Sequence, residues 1–215
     1  MRKKMCSFAG MKIFVMHDLR PVVHNNGAFF SFNGMEAMPF GVLPDSALLR
    51  ERRPMFVPPF AERCSVQTHL AVRICRLGRC VSPRFAHRYH EGATLAAVFR
   101  ADNLLEVARS EGWPWDMAMG FDGSVAIGAP CGVEPTDVLH LRTLLGADTM
   151  AEGVVEREAW LTHIHAALAR ISAFHTLRQG DWLLCGALHR SQEVREGLRV
   201  EGWMDGERLM AFDVK

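Results

Sequence analysis

The segment Val66–Ile74 constrains the fold of this chain most strongly, because its apolar side chains alternate with a second set that includes Gln67 and His69. A period of two over this length is typical of a β-strand with one buried face. Four other apolar runs and a closing hairpin predict further strands, at Met11–Val15, Thr94–Phe99, Val138–Leu145, Trp182–Cys185 and Gly197–Val214. Strands therefore dominate the predicted fold.

Helical patterns are fewer and do not alternate regularly with the strands. Glu156–Phe174 carries apolar residues at helical spacing, and Asp102–Ser110 is followed by Gly112, a common helix-ending residue. Ser82 and Pro83 are typical of a helix start. Many strands with about three interspersed helices indicate the α+β class, mainly β.

Length and composition limit the classes of function. A chain of 215 residues, 49% of them hydrophobic, can build one substantial core. Because 25 Lys and Arg residues nearly balance 24 Asp and Glu residues, no nucleic-acid partner is expected. No run approaches the roughly 18 apolar residues of a membrane span, so no membrane partner is expected. The six cysteines lack the spacing of a disulfide framework, which favours a cytoplasmic location.

Five short motifs follow one another from about residue 39 to the C-terminus. They are Leu-Pro-Asp-Ser-Ala-Leu at 43–48, Gln-Thr-His-Leu-Ala-Val at 67–72, Gly-Trp-Pro-Trp at 112–115, Gly-Phe-Asp-Gly-Ser at 120–124 and Thr-Leu-Arg-Gln-Gly-Asp-Trp-Leu-Leu-Cys-Gly at 176–186. In order and spacing they resemble motifs of the fumarylacetoacetate hydrolase family. The resemblance implies a β-sandwich roll with a few peripheral helices at 39–215, preceded at 1–38 by an N-terminal tail with a short strand and loops.

The resemblance also implies an activity and an assembly. Members of the family are commonly dimeric and hold one Mg²⁺ or Mn²⁺ ion. They act as hydrolases or decarboxylases on acylpyruvate-like or β-diketone-like small molecules. We therefore expect this chain to form a homodimer and to bind a small-molecule ligand.

The residues at the family's metal positions differ in this chain. The family surrounds its ion with both acids of a Glu-x-Glu motif and an Asp on the next strand. The resemblance places Gln67 and His69 at the first two positions, and either Val98 or Ala96 at the third. Hard divalent ions prefer oxygen ligands, and alternate strand positions share a face. We therefore predict that this site holds no metal cofactor.

Other positions of the family's pocket have changed as well. Met119 stands where the family has a lysine that contacts substrate oxyanions, and Leu43 stands where it has the lysine before proline. His24 is the nearest counterpart of the family's general-base histidine. Gly186 is followed by Ala and Leu in place of Thr and Pro. The pocket positions also include the acidic residues of two motifs, Asp45 and Asp122.

Two kinds of function are consistent with these replacements. The first is a pseudoenzyme that has lost the metal site and catalysis but retains ligand binding. The second is an active enzyme. It is either a hydrolase or decarboxylase with a rebuilt site around His69, or a metal-free lyase or tautomerase in which His24 or His69 acts as acid and base because imidazole titrates near neutral pH. We predict the first.

Two pairs of histidines lie outside these motifs. His87 and His90 are three residues apart on a predicted helix and could share a face for Zn²⁺. His163 and His165 are two apart on a helix, so their side chains diverge. Because no third zinc ligand is in view, we predict that all four are ordinary surface or groove histidines.

Overall fold

A computed structural model describes residues 10–16, 39–49, 53–131 and 138–215. Within these ranges the helices are α1 (Asp102–Glu111), α2 (Asp116–Met119) and α3 (Arg157–Phe174), with 3₁₀ segments at Asp45–Ala47 and Pro83–Arg88. The strands are β1 (Ile13–Met16), β2 (Phe40–Leu43), β3 (Cys64–Ile74), β4 (His90–Ala101), β5 (Val125–Ile127), β6 (Val138–Leu145), β7 (Asp148–Glu156), β8 (Trp182–Ala187), β9 (Gln192–Val194), β10 (Arg199–Met204) and β11 (Glu207–Asp213).

The strands form two sheets. The larger sheet has the order β2-β1-β8-β3-β4-β5, and β9 pairs with the beginning of β3. The smaller sheet has the order β11-β10-β6-β7. Strands β1 and β8 run parallel, whereas the other neighbouring strands are antiparallel. This architecture confirms the predicted α+β class, mainly β.

The main hydrophobic core is shared by the two sheets and α3. Val66 and Leu70 project into it from β3, and Trp160 and Ile164 project into it from α3. The sheets approach closely at Gly202, where an added Cβ would lie 2.8 Å from Cδ1 of Leu95. Gly202 therefore allows the two sheets to pack closer together than a residue with a side chain would permit.

A second apolar cluster covers the other face of the larger sheet. It joins Ala96 and Val98 of β4 to Leu105 of α1 and Met119 of α2. Helix α1 ends at Gly112, whose φ of +68° is in the left-handed region that glycine adopts without steric cost. The chain can thus turn from α1 into α2 and keep both helices over this face.

Several sequence predictions are confirmed, and some are wrong. Strands predicted at Val66–Ile74 and Val138–Leu145 are present, as are the long helix α3 and the Asp205-Gly206 hairpin. The helix predicted from Ser82 is only a 3₁₀ segment, and β4 begins at His90, before the predicted terminator Gly92. The N-terminal segment predicted at 1–38 contributes β1 to the larger sheet, and its boundary at residue 38 lies outside the described residues.

None of the helices in the described parts of the chain has both the length and the apolar character needed to cross a bilayer.

Candidate functional site

Gln67 and His69 lie two residues apart on β3, over the face covered by α1 and α2. In the antiparallel register with β4, Gln67 is opposite Val98 and His69 is opposite Ala96. Directly opposed residues of an antiparallel pair share one face of the sheet. The structure therefore brings together all four predicted metal positions, including both alternatives for the third.

Gln67 and His69 border a cavity of about 290 Å³, which we call the β3 cavity. Its wall includes Gln67, His69, Arg100, Arg109, Trp115 and Met119. His69 is only 2% exposed, so its imidazole lies in a largely dry environment. An adjoining cavity of about 360 Å³ shares Trp115 and Met119 and extends to Leu43. The β3 cavity is large enough for a small organic ligand beside the imidazole.

His189 holds the β3 backbone in place at this cavity. Its Nε2 accepts a hydrogen bond from the backbone N–H of Thr68 at 3.1 Å, so the ring proton lies on Nδ1 and is donated to the carbonyl oxygen of Arg190 at 2.6 Å. The carbonyl oxygen of His189 accepts a hydrogen bond from Nε2 of Gln67 at 2.8 Å. Sequence analysis missed His189 because its partners on β3 are 121 and 122 residues away along the chain.

Two guanidinium groups give the β3 cavity a cationic wall. Nε of Arg100 donates to Oδ1 of Asp102 at 2.7 Å and to Oγ of Ser65 at 3.1 Å, which fixes this side chain at the β3–β4 pair. The guanidinium carbon of Arg109 lies 5.2 Å from the ring centroid of Trp115. No carboxylate is among the described residues that line the cavity. Asp102 offsets part of the Arg100 charge, but the lining itself carries two guanidinium groups, which favours an anionic ligand over a cation.

Comparison with known proteins identifies the family. The model of the C-terminal domain of fumarylacetoacetate (FAA) hydrolase matches residues 30–212, which is most of the chain. The chain belongs to the fumarylacetoacetate hydrolase family.

Known proteins that resemble this chain carry several different names. The chain is 24% identical over 173 residues to the mitochondrial oxaloacetate tautomerase of Mus musculus, covering 80% of this chain and 78% of that protein. It is 27% identical over 175 residues to an uncharacterized protein of Pyrococcus horikoshii, covering 80% and 75%. The fold matches that of fumarylpyruvate hydrolase from Pseudomonas aeruginosa in complex with Mn²⁺ and pyruvate, with a TM-score of 0.77, 18% identity and coverage of 94% and 88%.

The residues of the β3 cavity do not fit the Mg²⁺ or Mn²⁺ ion that the family resemblance implies. Gln67 offers a neutral amide and His69 an imidazole, while Val98 and Ala96 are 2% and 0% exposed within the apolar cluster. Both ions prefer carboxylate, carbonyl or water oxygens, and two arginines in the wall would repel them. In the described part of the chain, no group of three or more His, Cys, Asp or Glu side chains could hold a metal as it stands.

Only some of the other predicted pocket positions line the two cavities. Met119 lines the β3 cavity, and Leu43 lines the adjoining one. Gly186 belongs to β8, where the next residue pairs with His69. Asp45 and Asp122 are exposed and line neither cavity, so the structure does not place them in the site. His24 lies outside the described residues.

The stability of the fold should decrease in mild acid, in part because of His189. Burial lowers the pKa of His189, although its hydrogen bond to the Arg190 carbonyl partly opposes the shift. A pKa that is lower in the folded than in the unfolded chain means that the unfolded state takes up more protons. The stabilisation is therefore complete above the unfolded value of about 6.5 and is lost as the pH falls below it.

We expect the free energy of unfolding in urea to decrease between pH 7.5 and 5, and to decrease less steeply in His189→Asn than in the wild type. The difference in slope approaches about 1.4 kcal/mol per pH unit when one protonation is removed. The exposed residue His140 provides the control variant His140→Asn, which exchanges a histidine that does not contact β3. Equal slopes in the wild type and His189→Asn would show that His189 does not contribute.

Proposed function

We propose that this chain is a metal-free member of the fumarylacetoacetate hydrolase family that binds a small carboxylate in the β3 cavity and has lost the family's metal-dependent catalysis. The observation that carries this proposal is that side chains without a carboxylate occupy the family's metal-ligand positions, in the same cavity wall as two arginines. Gln67 and His69 stand at the carboxylate positions of the family, with apolar Val98 opposite, and Arg100 and Arg109 supply positive charge in the same wall.

The charges explain how a carboxylate could be held without a metal ion. In the family the divalent ion supplies the positive charge next to the ligand. Here the guanidinium groups of Arg100 and Arg109 take over that role, since guanidinium pairs strongly with carboxylate. Gln67 and His69 are placed to hydrogen-bond a second oxygen of the ligand, such as a keto group. The names of the relatives and structural neighbours, which include oxaloacetate and pyruvate, support an α-keto acid as the ligand class.

We expect Arg100→Gln and Arg109→Gln each to weaken the binding of oxaloacetate or pyruvate by roughly 10- to 100-fold, because each removes a charged hydrogen-bonding partner of the ligand. Isothermal titration calorimetry in EDTA measures the affinity. Arg142→Gln is a matched control, because Arg142 is an exposed residue of β6 that does not line the β3 cavity. Unchanged affinity in both cavity variants would contradict the proposed carboxylate site.

A metal-free tautomerase is the second candidate, and the buried imidazole of His69 in the β3 cavity favours it. His69 would remove a proton from the carbon next to the keto group of the substrate and, as the imidazolium, return that proton to the keto oxygen, so that the enol forms and the imidazole is regenerated. The pseudoenzyme proposal predicts that the protein in EDTA does not accelerate enolisation of oxaloacetate. Acceleration that disappears in His69→Gln would establish the tautomerase instead. Release of pyruvate in the same assay would reveal a decarboxylase.

The homodimer and the cytoplasmic location stay predictions. Strand β2 lies at one end of the larger sheet's pairing order. Unprotected strand edges favour association with another chain, which supports the dimer.

A further inference from the structure

Three histidines outside the β3 cavity meet where the first residue of β4 and the 3₁₀ segment Pro83–Arg88 pack near α3. Nε2 of His90 lies 3.2 Å from Nε2 of His165. The ring of His87 lies 6.4 Å from the ring of His165, centroid to centroid. His87 is exposed, whereas His90 and His165 are half-buried. Half-buried positions agree with the prediction of surface or groove histidines for His90 and His165, whereas that prediction is wrong for His163, which is buried at 5% exposure.

The separation of the two ring nitrogens is that of neighbouring ligands on one metal ion. With Zn–N bonds of about 2.05 Å and a tetrahedral angle, two imidazole nitrogens lie about 3.4 Å apart. Without a metal, one Nε2 must donate a proton to the other. An ion between the rings would replace that proton and bind a lone pair from each imidazole.

Both half-buried imidazoles are available in the neutral form that a metal requires. Burial, followed by the neighbouring rings of His165 and His87, lowers the pKa of His90 to about 4. Burial and His87 also lower the pKa of His165. Protons therefore compete weakly for this pair at neutral pH.

His87 is positioned to become the third ligand. The three rings do not yet converge on one point, in keeping with the lack of an assembled three-ligand group in the described residues. Because His87 is exposed, its side chain can rotate toward the pair without disturbing the core. Three imidazoles and a water molecule are an established donor set for Zn²⁺.

We propose that His90 and His165, joined by His87, bind one Zn²⁺ ion that connects the start of β4 and the 3₁₀ segment to α3. An all-nitrogen donor set suits Zn²⁺ and similar borderline ions, and it does not suit Mg²⁺. The three histidines do not line the β3 cavity, so this site is independent of the proposed function. The ion stabilises the folded chain, because the unfolded chain does not hold the three ligands together.

Zinc chloride titrated into protein freed of metal with EDTA and then dialysed tests the proposal by calorimetry. We expect about one Zn²⁺ per chain and a rise in melting temperature, with no response to Mg²⁺. His165→Gln and the exposed-site variant His87→Gln should each weaken Zn²⁺ binding at least tenfold. His140→Gln is the matched control and should bind as the wild type does, because His140 is an exposed histidine of β6 outside the cluster.

Cobalt(II) identifies the ligands independently of any variant. We expect the absorption spectrum of the Co²⁺-loaded protein to lack a thiolate-to-metal charge-transfer band, since no cysteine belongs to the cluster. Such a band would assign the ion to cysteines and overturn the proposal. Failure of the wild type to bind Zn²⁺ would overturn it too, as would unchanged Zn²⁺ affinity in both His87→Gln and His165→Gln.

Discussion

Changing Gln67→Glu, His69→Glu and Val98→Asp together will destabilise the metal-free protein by at least about 3 kcal/mol, and Mn²⁺ will reverse much of the loss. The register explains the loss: Val98 is 2% exposed and lies directly opposite Gln67, so the variant crowds carboxylates onto a dry face. Arg100 offsets part of the repulsion. The melting temperature in EDTA measures the destabilisation.

Mn²⁺ stabilises only a chain that binds it in the folded state. At a hundredfold excess over Kd the gain is about 2.7 kcal/mol, and each kcal/mol raises the melting temperature by about 2–4 °C in a chain of this size. The uncharged variant His69→Gln with Val98→Asn is the control: it makes the same face polar, and it should not respond to Mn²⁺.

An equal response of the wild type and the triple variant to Mn²⁺ would contradict the loss of the metal site. If neither protein responds, Ala96→Asp tests the alternative third position, because Ala96 lies opposite His69 on the same face. Recovery of catalysis would also require Met119→Lys, which supplies the oxyanion-binding lysine that the family resemblance implies.

Asp181→Ala will destabilise the fold by about 3–5 kcal/mol, because it leaves buried donors without their partner. Asp181 is 0% exposed, and its two oxygens accept hydrogen bonds from the backbone N–H groups of Lys12 at 2.9 Å and Arg178 at 2.8 Å. Nζ of Lys12 lies 3.7 Å from the same carboxylate. Asp181 thus ties β1 to the turn before β8 and has a structural role in its motif.

Urea denaturation measures this effect, and two variants separate its causes. Asp181→Asn retains one acceptor oxygen and should lose less stability than Asp181→Ala. Lys12→Met removes the ammonium group but keeps both backbone bonds, so it should cost the least. A loss below 1 kcal/mol in Asp181→Ala, as for an exposed ion pair, would contradict this role.

Local patterns in the sequence were sufficient for much of the fold and part of the site. The alternation in Val66–Ile74 correctly assigned Gln67 and His69 to the same face of a strand, and the family motifs placed Val98 and Ala96 on the neighbouring strand. These predictions needed only the period of a strand and the order of the motifs. They did not need the relative positions of distant elements.

The remaining features depend on contacts between distant segments. Arg109 reaches the β3 cavity only because α1 packs over the sheet, and His189 reaches β3 from a loop 121 residues away. His165 meets His90 across 75 residues, which is why no third zinc ligand was visible in the sequence. Periodicity within one segment carries no information about contacts between segments that are distant in the sequence.

The affinity for an α-keto acid with and without divalent metal tests the central claim most directly. Calorimetric titration of pyruvate and oxaloacetate into the wild type, once in EDTA and once in excess Mn²⁺, measures it. A metal-free cationic cavity predicts the same dissociation constant in both solutions, and the weaker binding in Arg100→Gln that is expected above. Binding of both acids that requires Mn²⁺ and disappears in EDTA would contradict the claim and establish a metal site at Gln67 and His69.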